Sequence, residues 1–162
     1  MRWFRHLVLG WPAKRHFPPE TLDLIQRAIA DQERNHLGEV CFAVEGRLSL
    51  TELIRCATAR HRAAEVFANL RVWDTAHNTG VLIYVLLAEH AIEIVGDRAI
   101  AASIDETEWA PACARMQRHF AANDYLAGAI AGVEAITAIL RRHFPADGRP
   151  NPDELPDRPV IL

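Results

Sequence analysis

The sequence predicts a three-layer α/β/α sandwich, in which helices cover both faces of a small mixed β-sheet. Residues 81–87 are apolar at every position, which is typical of a strand buried on both faces and not of an amphipathic helix. Segments with helical spacing of apolar residues lie on both sides of this strand in the chain and can supply the two covering layers. With 162 residues and no internal repeat, the chain fits a single domain.

The first part of the chain is predicted to form a helix, a strand and a second helix. Pro19 stands in the first turn of a helix whose apolar residues share one face. Residues 39–45 alternate between two sets of side chains, as the residues of a strand do. Ser49 and Glu52 form a capping box, which predicts the start of one long helix that reaches residue 70.

The second part of the chain continues with a hairpin and two helices. We expect Glu89 and His90 to form the turn between the buried strand and a third strand that ends at Gly96. Asp105 and Glu108 are a weaker capping pair for a third helix, and a fourth helix follows it. Because a strand, helix and strand in succession form a right-handed crossover, the first two strands should be parallel. The third strand should then return antiparallel to the second.

We divide the chain into an N-terminal arm (residues 1–16), an α/β domain (17–144) and a proline-rich tail (145–162) that we expect to be extended or mobile. The arm carries Trp3 and Trp11 among basic residues, and we expect it to pack on the domain. A weak peripheral anchor at a membrane surface is the alternative for this arm. No stretch approaches the roughly 20 apolar residues that a transmembrane segment needs.

Charge and cysteine spacing exclude two classes of function. The formal net charge of -3 argues against a nucleic-acid partner, since such proteins present a basic surface. Cys41, Cys56 and Cys113 have neither zinc-site nor redox-motif spacing, and we expect buried thiols in a reducing compartment. The expected location is therefore the cytoplasm. Peripheral contact with a membrane through the N-terminal arm is the alternative.

The predicted topology brings four polar residues to one end of the sheet. Glu39 opens the first strand, Asp74 and Asn78 precede the second, and Asp97 follows the third. Carboxylate and amide oxygens are the ligands of hard divalent cations, so the set predicts a site for Ca²⁺ or Mg²⁺. Each residue also has a purely structural role open to it: Glu39 as a strand end, Asp74 and Asn78 in loop geometry, and Asp97 as a partner of Arg98 or a cap of the next turn.

Several motifs, in this order and spacing, resemble the TPM domain. They are Gly38-Glu39-Val40, the long helix ending in Phe67, Asn78-Thr79-Gly80, Ile94-Val95-Gly96-Asp97-Arg98, Trp109 and residues 120–128 (FAANDYLAG). The similarity runs from about Phe17 to Phe144, and the terminal ELPDRPV resembles a bacterial subgroup of the family.

The resemblance implies an α/β/α sandwich, divalent-cation binding as in some members, and the weak acid-phosphatase activity proposed for plant members. It also implies assistance to membrane-protein complexes. Thr79 stands where the family usually has a second Asn, and Ala99 where it usually has Gly after the Arg. Many bacterial members also carry a signal peptide and a C-terminal membrane helix, and we recognise neither in this sequence.

Three functions follow as hypotheses. The first is a divalent-cation-binding accessory module that contacts an unidentified, membrane-associated protein partner. The second is a weak metal-dependent phosphatase acting on phosphomonoesters, in which the cation polarises a phosphoryl oxygen and Arg98 or His77 assists. The third is a structural docking domain without a metal. No residue is assigned as catalytic, because the sequence contains none of the common phosphatase motifs. No cofactor other than the divalent cation is expected.

Overall fold

The computed structural model describes residues 12–55, 58–148 and 152–162. Its helices are α1 (Ala13–His16), α2 (Pro19–Glu33), α3 (Leu50–Arg55), α4 (Ala59–Asn69), α5 (Arg98–Ser103), α6 (Ala110–Ala121) and α7 (Tyr125–His143). Its strands are β1 (Glu39–Glu45), β2 (Gly80–Leu86), β3 (Ala91–Gly96) and β4 (Val160–Ile161). Short 3₁₀ turns occupy Leu87–Glu89 and Glu106–Trp109.

The strands form one mixed sheet in the order β3-β2-β1-β4. β1 runs parallel to β2, with Glu39 opposite Gly80 and Glu45 opposite Leu86. β3 returns antiparallel along β2, with Gly96 opposite Val81. The predicted parallel crossover and antiparallel hairpin are therefore confirmed. The hairpin turn at residue 90 is made possible by a left-handed backbone, with φ 53° at His90.

Two hydrophobic clusters lie on the two faces of this sheet, which gives the predicted sandwich. On one face, Phe42 and Ile83 pack with residues of α2, α6 and α7. On the other face, Cys41 and Leu82 pack with residues of α3 and α4. All seven residues of β1 and all seven of β2 are buried, as expected for strands covered on both sides.

The prediction of one long second helix is wrong, because two separate helices occupy that stretch. The capping box itself is confirmed: the Ser49 hydroxyl accepts from the Glu52 amide, and a Glu52 carboxylate oxygen accepts from the Ser49 amide. A new helix, α4, then begins after Thr58, whose extended backbone (φ -143°) and side chain cap it by accepting from the His61 amide. Apolar periodicity continues across this break, which is why the pattern concealed it.

The described part of the C-terminal segment (152–162) is extended and lies on the domain. Val160 and Ile161 add β4 beside β1, and Leu155 is buried in the cluster on the α4 face. The sequence prediction allowed for an extended or a mobile tail, and these contacts correspond to the extended form. The boundaries at residues 16 and 144 stay predictions.

Two other predictions fall wholly or partly outside the described residues. Trp3 and Trp11 of the N-terminal arm lie there, as does Cys56. Cys41 is a buried free thiol and Cys113 a half-buried one. Across the described ranges, no helix combines the length and the apolar character that crossing a membrane requires.

Candidate functional site

The start of β2 at Gly80 is flanked by two acidic residues on the neighbouring strands. Glu39 is paired with Gly80 in the parallel ladder, and the Asp97 amide donates to the Gly80 carbonyl oxygen at 2.8 Å. We call this region the Gly80 end of the sheet: Glu39, Gly80, Asp97 and the loop at 74–79. Its counterpart, where β1 and β2 finish and β3 begins, is the Leu86 end: Glu45, Leu86 and Ala91.

Close packing at the Gly80 end fixes where the loop runs. A Cβ atom on Gly80 would lie 1.9 Å from the carbonyl oxygen of Val72, so only glycine fits this position. The Thr79 hydroxyl donates to the Leu37 carbonyl oxygen at 2.7 Å, and the Thr79 amide donates to the Thr75 hydroxyl at 3.1 Å. The first bond ties the loop to the segment that leads into β1, and the second closes a turn within the loop.

Asn78 holds a left-handed backbone conformation, with φ 55°. Its amide donates to the Thr75 carbonyl oxygen at 3.2 Å, and its carbonyl oxygen accepts from the Ala99 amide at 3.1 Å. Asparagine tolerates this conformation better than most residues do. The loop before β2 is thereby joined to the first turn of α5.

Asp97 is a buried carboxylate, only 5% exposed, at the N-terminus of α5. One oxygen, Oδ1, accepts from the Arg98 amide at 2.7 Å, so the capping role anticipated for this residue is confirmed. The other oxygen, Oδ2, is buried and has no hydrogen-bond partner among the described residues. A buried carboxylate oxygen that lacks a protein partner is energetically costly, and such atoms commonly face a water molecule, an ion or a ligand.

The guanidinium of Arg98 links two of the predicted ligands. Its Nη2 donates to the Asn78 side-chain oxygen Oδ1 at 2.6 Å. Its Nε lies 3.9 Å from Asp97 Oδ1, and the Arg98 side chain is 80% exposed. Asn78 and Asp97 are therefore brought together, with a positive charge between them and solvent.

Glu39 points into a cleft of about 470 Å³ on the other side of Gly80. Oxygens of Glu33, Glu39 and Asp153 lie within 4.8 Å of one another there. Glu33, at the last turn of α2, also accepts from the Val40 amide at 2.7 Å. Asp157 lines the same cleft, so the C-terminal segment supplies two of its four carboxyl groups.

The carboxyl groups of this cleft are difficult to ionise. Burial raises the pKa of Glu39 to about 7, although backbone amides of Glu154 and Leu155 favour the charged form. Burial also raises the pKa of Glu33 and that of Asp157, and the two groups share a hydrogen bond. His36, on the wall of the cleft, has its pKa lowered to about 4 by burial and is neutral near pH 7.

The structure places the four predicted residues at one end of the sheet but not in one tight cluster. Glu39 and Asp97 flank Gly80 on opposite sides, which puts their main chains about 10 Å apart. Asp74 is exposed, and its side chain makes no hydrogen bond or ion pair within the described residues. That the four share one cation remains a prediction.

Glu33 and Asp153 were missed by sequence reasoning, although each carried a faint signal. Glu33 is an acidic residue in the last turn of α2, where the helix dipole disfavours negative charge. Asp153 lies in the proline-rich segment, where the apolar residues Leu155, Val160 and Ile161 are spaced between prolines and indicate docking.

The donor set suits a hard divalent cation. The unpartnered oxygen of Asp97 and the buried carboxyl group of Glu39 are oxygen donors, which Ca²⁺ and Mg²⁺ prefer. The described residues offer no tetrahedral histidine or cysteine set of the kind that zinc takes.

Comparison with known proteins identifies the family of this chain. The family model described as the TPM domain matches residues 14–139, which is most of the chain. The chain belongs to the TPM domain family. The match ends within α7, so the C-terminal segment that reaches the cleft of this TPM domain lies beyond it.

A solved structure shares the architecture of this TPM domain. The NMR structure of the BA42 protein from the psychrophilic bacterium Bizionia argentinensis matches with a TM-score of 0.76 and 28% sequence identity. The match covers 88% of this chain and 93% of the BA42 chain, so nearly the whole fold is shared. No curated protein matches the sequence.

Proposed function

We propose that this TPM domain binds a divalent cation, Ca²⁺ or Mg²⁺, at the Gly80 end and acts as an accessory module for a protein partner. Asp97 carries the proposal, because it is buried and keeps one carboxylate oxygen without a partner among the described residues. Asn78 is the predicted co-ligand that the contacts of Arg98 bring beside Asp97, and Glu39 and Asp74 complete the predicted set at the same sheet end. The bound cation would offset the negative charge of these carboxylates.

Thermal melts with Ca²⁺, Mg²⁺ or a chelator test this proposal. A ligand present at 100 times its Kd stabilises the native state by about 2.7 kcal/mol. For a chain of this size that corresponds to a rise in Tm of about 5 to 10 °C. The absence of any shift with either cation at millimolar concentration would rule the proposal out.

Asp97→Asn and Asp105→Asn form a matched pair of variants. Both residues cap a helical turn with their side chains, and asparagine preserves that role. Asp97 is buried whereas Asp105 is exposed, so the same loss of charge occurs in two settings. We expect Asp97→Asn to lose the cation-induced shift and Asp105→Asn to keep it.

A second pair, Glu39→Gln and Glu33→Gln, locates the cation along the sheet end. If the predicted ligand set is right, the Glu39 variant weakens cation binding and the Glu33 variant retains it. Loss of binding in both glutamate variants, with binding kept in Asp97→Asn, would place the cation in the cleft with Asp153 instead. That result would overturn the predicted ligand set while leaving cation binding itself intact.

An exposed aromatic residue supports the partner-binding half of the proposal. Trp73 is 46% exposed and directly precedes Asp74 in the loop at the Gly80 end. Tryptophan is enriched among the residues that dominate binding energy at protein interfaces. The family resemblance leads us to propose membrane-protein complexes as the source of the partner.

Co-purification from membrane extracts, with Ca²⁺ or with chelator, tests this partner. We expect a partner that is retained only with the cation and is lost in Trp73→Ala. Leu24→Ala is the control, since Leu24 is an apolar residue on α2 with 42% exposure. Retention that depends on neither the cation nor Trp73 would contradict the accessory role.

A weak metal-dependent phosphatase is the second candidate, and the position of Arg98 favours it. Its exposed guanidinium lies beside Asp97, where it could contact a phosphoryl oxygen held by the cation. His77 Nε2 is also buried without a hydrogen-bond partner within the described residues. Hydrolysis of a generic phosphomonoester should then fall sharply in Asp97→Asn. Unchanged hydrolysis in that variant would assign the activity to a contaminant or to a different site.

A further inference from the structure

Arg98 makes two contacts at the Gly80 end, and both are to oxygens that a cation would use. Its Nη2 donates to Asn78 Oδ1 at 2.6 Å, and its Nε lies 3.9 Å from Asp97 Oδ1. Within the same carboxylate, Asp97 Oδ2 stays buried and without a partner among the described residues. The guanidinium thus lies near Asn78 Oδ1 and Asp97 Oδ1 but not near the buried Asp97 Oδ2.

Arg98 is not needed to hold this loop. The backbone of Asn78 is already fixed by its bonds to Thr75 and Ala99, both through main-chain atoms. The Thr79 hydroxyl provides a further tie to Leu37. An ion pair with a side chain that is 80% exposed adds little to stability, because water screens it. The contact can therefore be broken at low cost.

We propose that the guanidinium of Arg98 is a tethered competitor for the divalent cation at Asn78 and Asp97. In the cation-free protein it occupies the Asn78 amide oxygen, and it moves into solvent when the cation binds. This inference rests on the proposed function and adds a regulator to the same site. The competition has a direct physical basis, because two positive charges that need the same oxygen repel each other at short range.

The affinity for the cation is then set partly by Arg98 itself. Replacing Arg98 with an uncharged residue frees the Asn78 side-chain oxygen for the cation and removes the repulsion between the guanidinium and the cation. With a dication about 5 Å from a guanidinium in nearly aqueous surroundings, the repulsion corresponds to about a tenfold change in Kd. The effect is also screened by salt, so it should shrink as ionic strength rises.

Calorimetric titration of Ca²⁺ and Mg²⁺ into the full chain tests the inference. We expect Arg98→Met to bind about tenfold more tightly than the wild type at low ionic strength. Arg98→Lys keeps the positive charge but loses the planar guanidinium, so the affinity of this variant for the cation should stay within a few-fold of wild type. Arg118→Met is the matched control, because Arg118 is exposed on α6 and precedes Phe120, which lines a cavity at the Leu86 end.

A second readout follows Arg98 directly. The NMR signal of its Nε–H group should report an ordered guanidinium in chelator and a solvent-exposed one at saturating cation. Equal or weaker binding in Arg98→Met, or an Nε–H signal that does not respond to the cation, would overturn the competitor role. In that case tight binding by the wild type would leave the proposed function standing. No binding by the wild type or by Arg98→Met would end both.

Discussion

The strand β1 begins and ends with a buried glutamate, and the two differ in what surrounds them. Glu45, at the Leu86 end, is 4% exposed and receives two bonds of 2.9 Å from the guanidinium of Arg62. The Tyr84 hydroxyl donates to the same carboxylate at 2.5 Å. Glu39, at the Gly80 end, is 1% exposed and lies instead among Glu33 and Asp153.

This difference separates a structural acid from a candidate ligand. Both glutamates are removed from water, so burial alone does not mark a functional site. The negative charge of Glu45 is balanced inside the protein by Arg62, which also contacts Glu52 and Glu65. At the Gly80 end, Arg98 is exposed and contacts Asn78 and Asp97. Glu39 shares its cleft with Arg34, which is also exposed. A buried carboxylate that lies beside other carboxyl groups, as Glu39 does, is one that an external cation would stabilise.

The largest expected effect on stability comes from removing the ion pair between Arg62 and Glu45 at the Leu86 end. Arg62→Met leaves Glu45 buried without its counterion, and removing one partner of a buried pair costs about 3 to 5 kcal/mol. Urea unfolding should show this loss, and the double variant with Glu45→Gln should recover part of it. Arg118→Met, at an exposed site, should change the free energy of unfolding by less than about 0.5 kcal/mol. A loss below about 1 kcal/mol in Arg62→Met would contradict the contrast.

The second largest effect is expected at the Gly80 end, where removing the charge of Glu39 should increase stability instead of lowering it. The folded-state pKa of Glu39 is raised to about 7, so its folded state holds a proton more tightly than the unfolded chain does. The resulting stability is present below the unfolded pKa and is lost as the pH rises towards 7. In chelator, Glu39→Gln should therefore raise the free energy of unfolding by about 2 kcal/mol near pH 8.

Unfolding curves between about pH 5 and pH 8 check this prediction. The wild type should lose stability across that range, and Glu39→Gln should lose less. Glu33 contributes in the same direction, since its pKa is also raised by burial. Saturating Ca²⁺ should reduce the slope, because the cation favours the ionised form. A wild-type profile that stays flat in chelator would show that the Glu39 charge is already balanced.

The smallest effect on stability is expected from replacing Arg98. In chelator, Arg98→Met should alter the free energy of unfolding by less than about 0.5 kcal/mol, because the side chain is 80% exposed. Chemical unfolding with and without cation compares this variant with Arg62→Met under the same conditions. A loss comparable to that of Arg62→Met would make Arg98 a structural residue of the loop.

The sheet could be predicted from sequence because its strands are defined by local patterns. The apolar run at 81–87 and the alternation at 39–45 place β2 and β1 to within one residue. Crossover handedness then fixes the relative directions of the strands. The break between α3 and α4 could not be predicted in the same way, since apolar spacing continues across it and Thr58 gives only a weak capping signal.

Only those residues of the candidate site that lie at strand ends could be predicted from the sequence. Glu39 and Asp97 follow from topology, because both neighbour Gly80. The cleft partners Glu33 and Asp153 depend on how α2 and the C-terminal segment pack, which is a long-range property. The local signals at these positions are faint: the apolar residues between the prolines indicate that the segment docks, but not where its carboxyl groups lie.

A titration with Ca²⁺ followed by amide NMR tests the central claim most directly. We predict saturable shifts of the amide signals of Thr79, Gly80, Asp97 and Arg98, with those of Val85 and Leu86 unmoved. Because a strand of seven residues spans about 20 Å, the two ends are far enough apart to respond separately. Unchanged spectra at millimolar Ca²⁺ and Mg²⁺, or shifts centred on the Leu86 end, would contradict it.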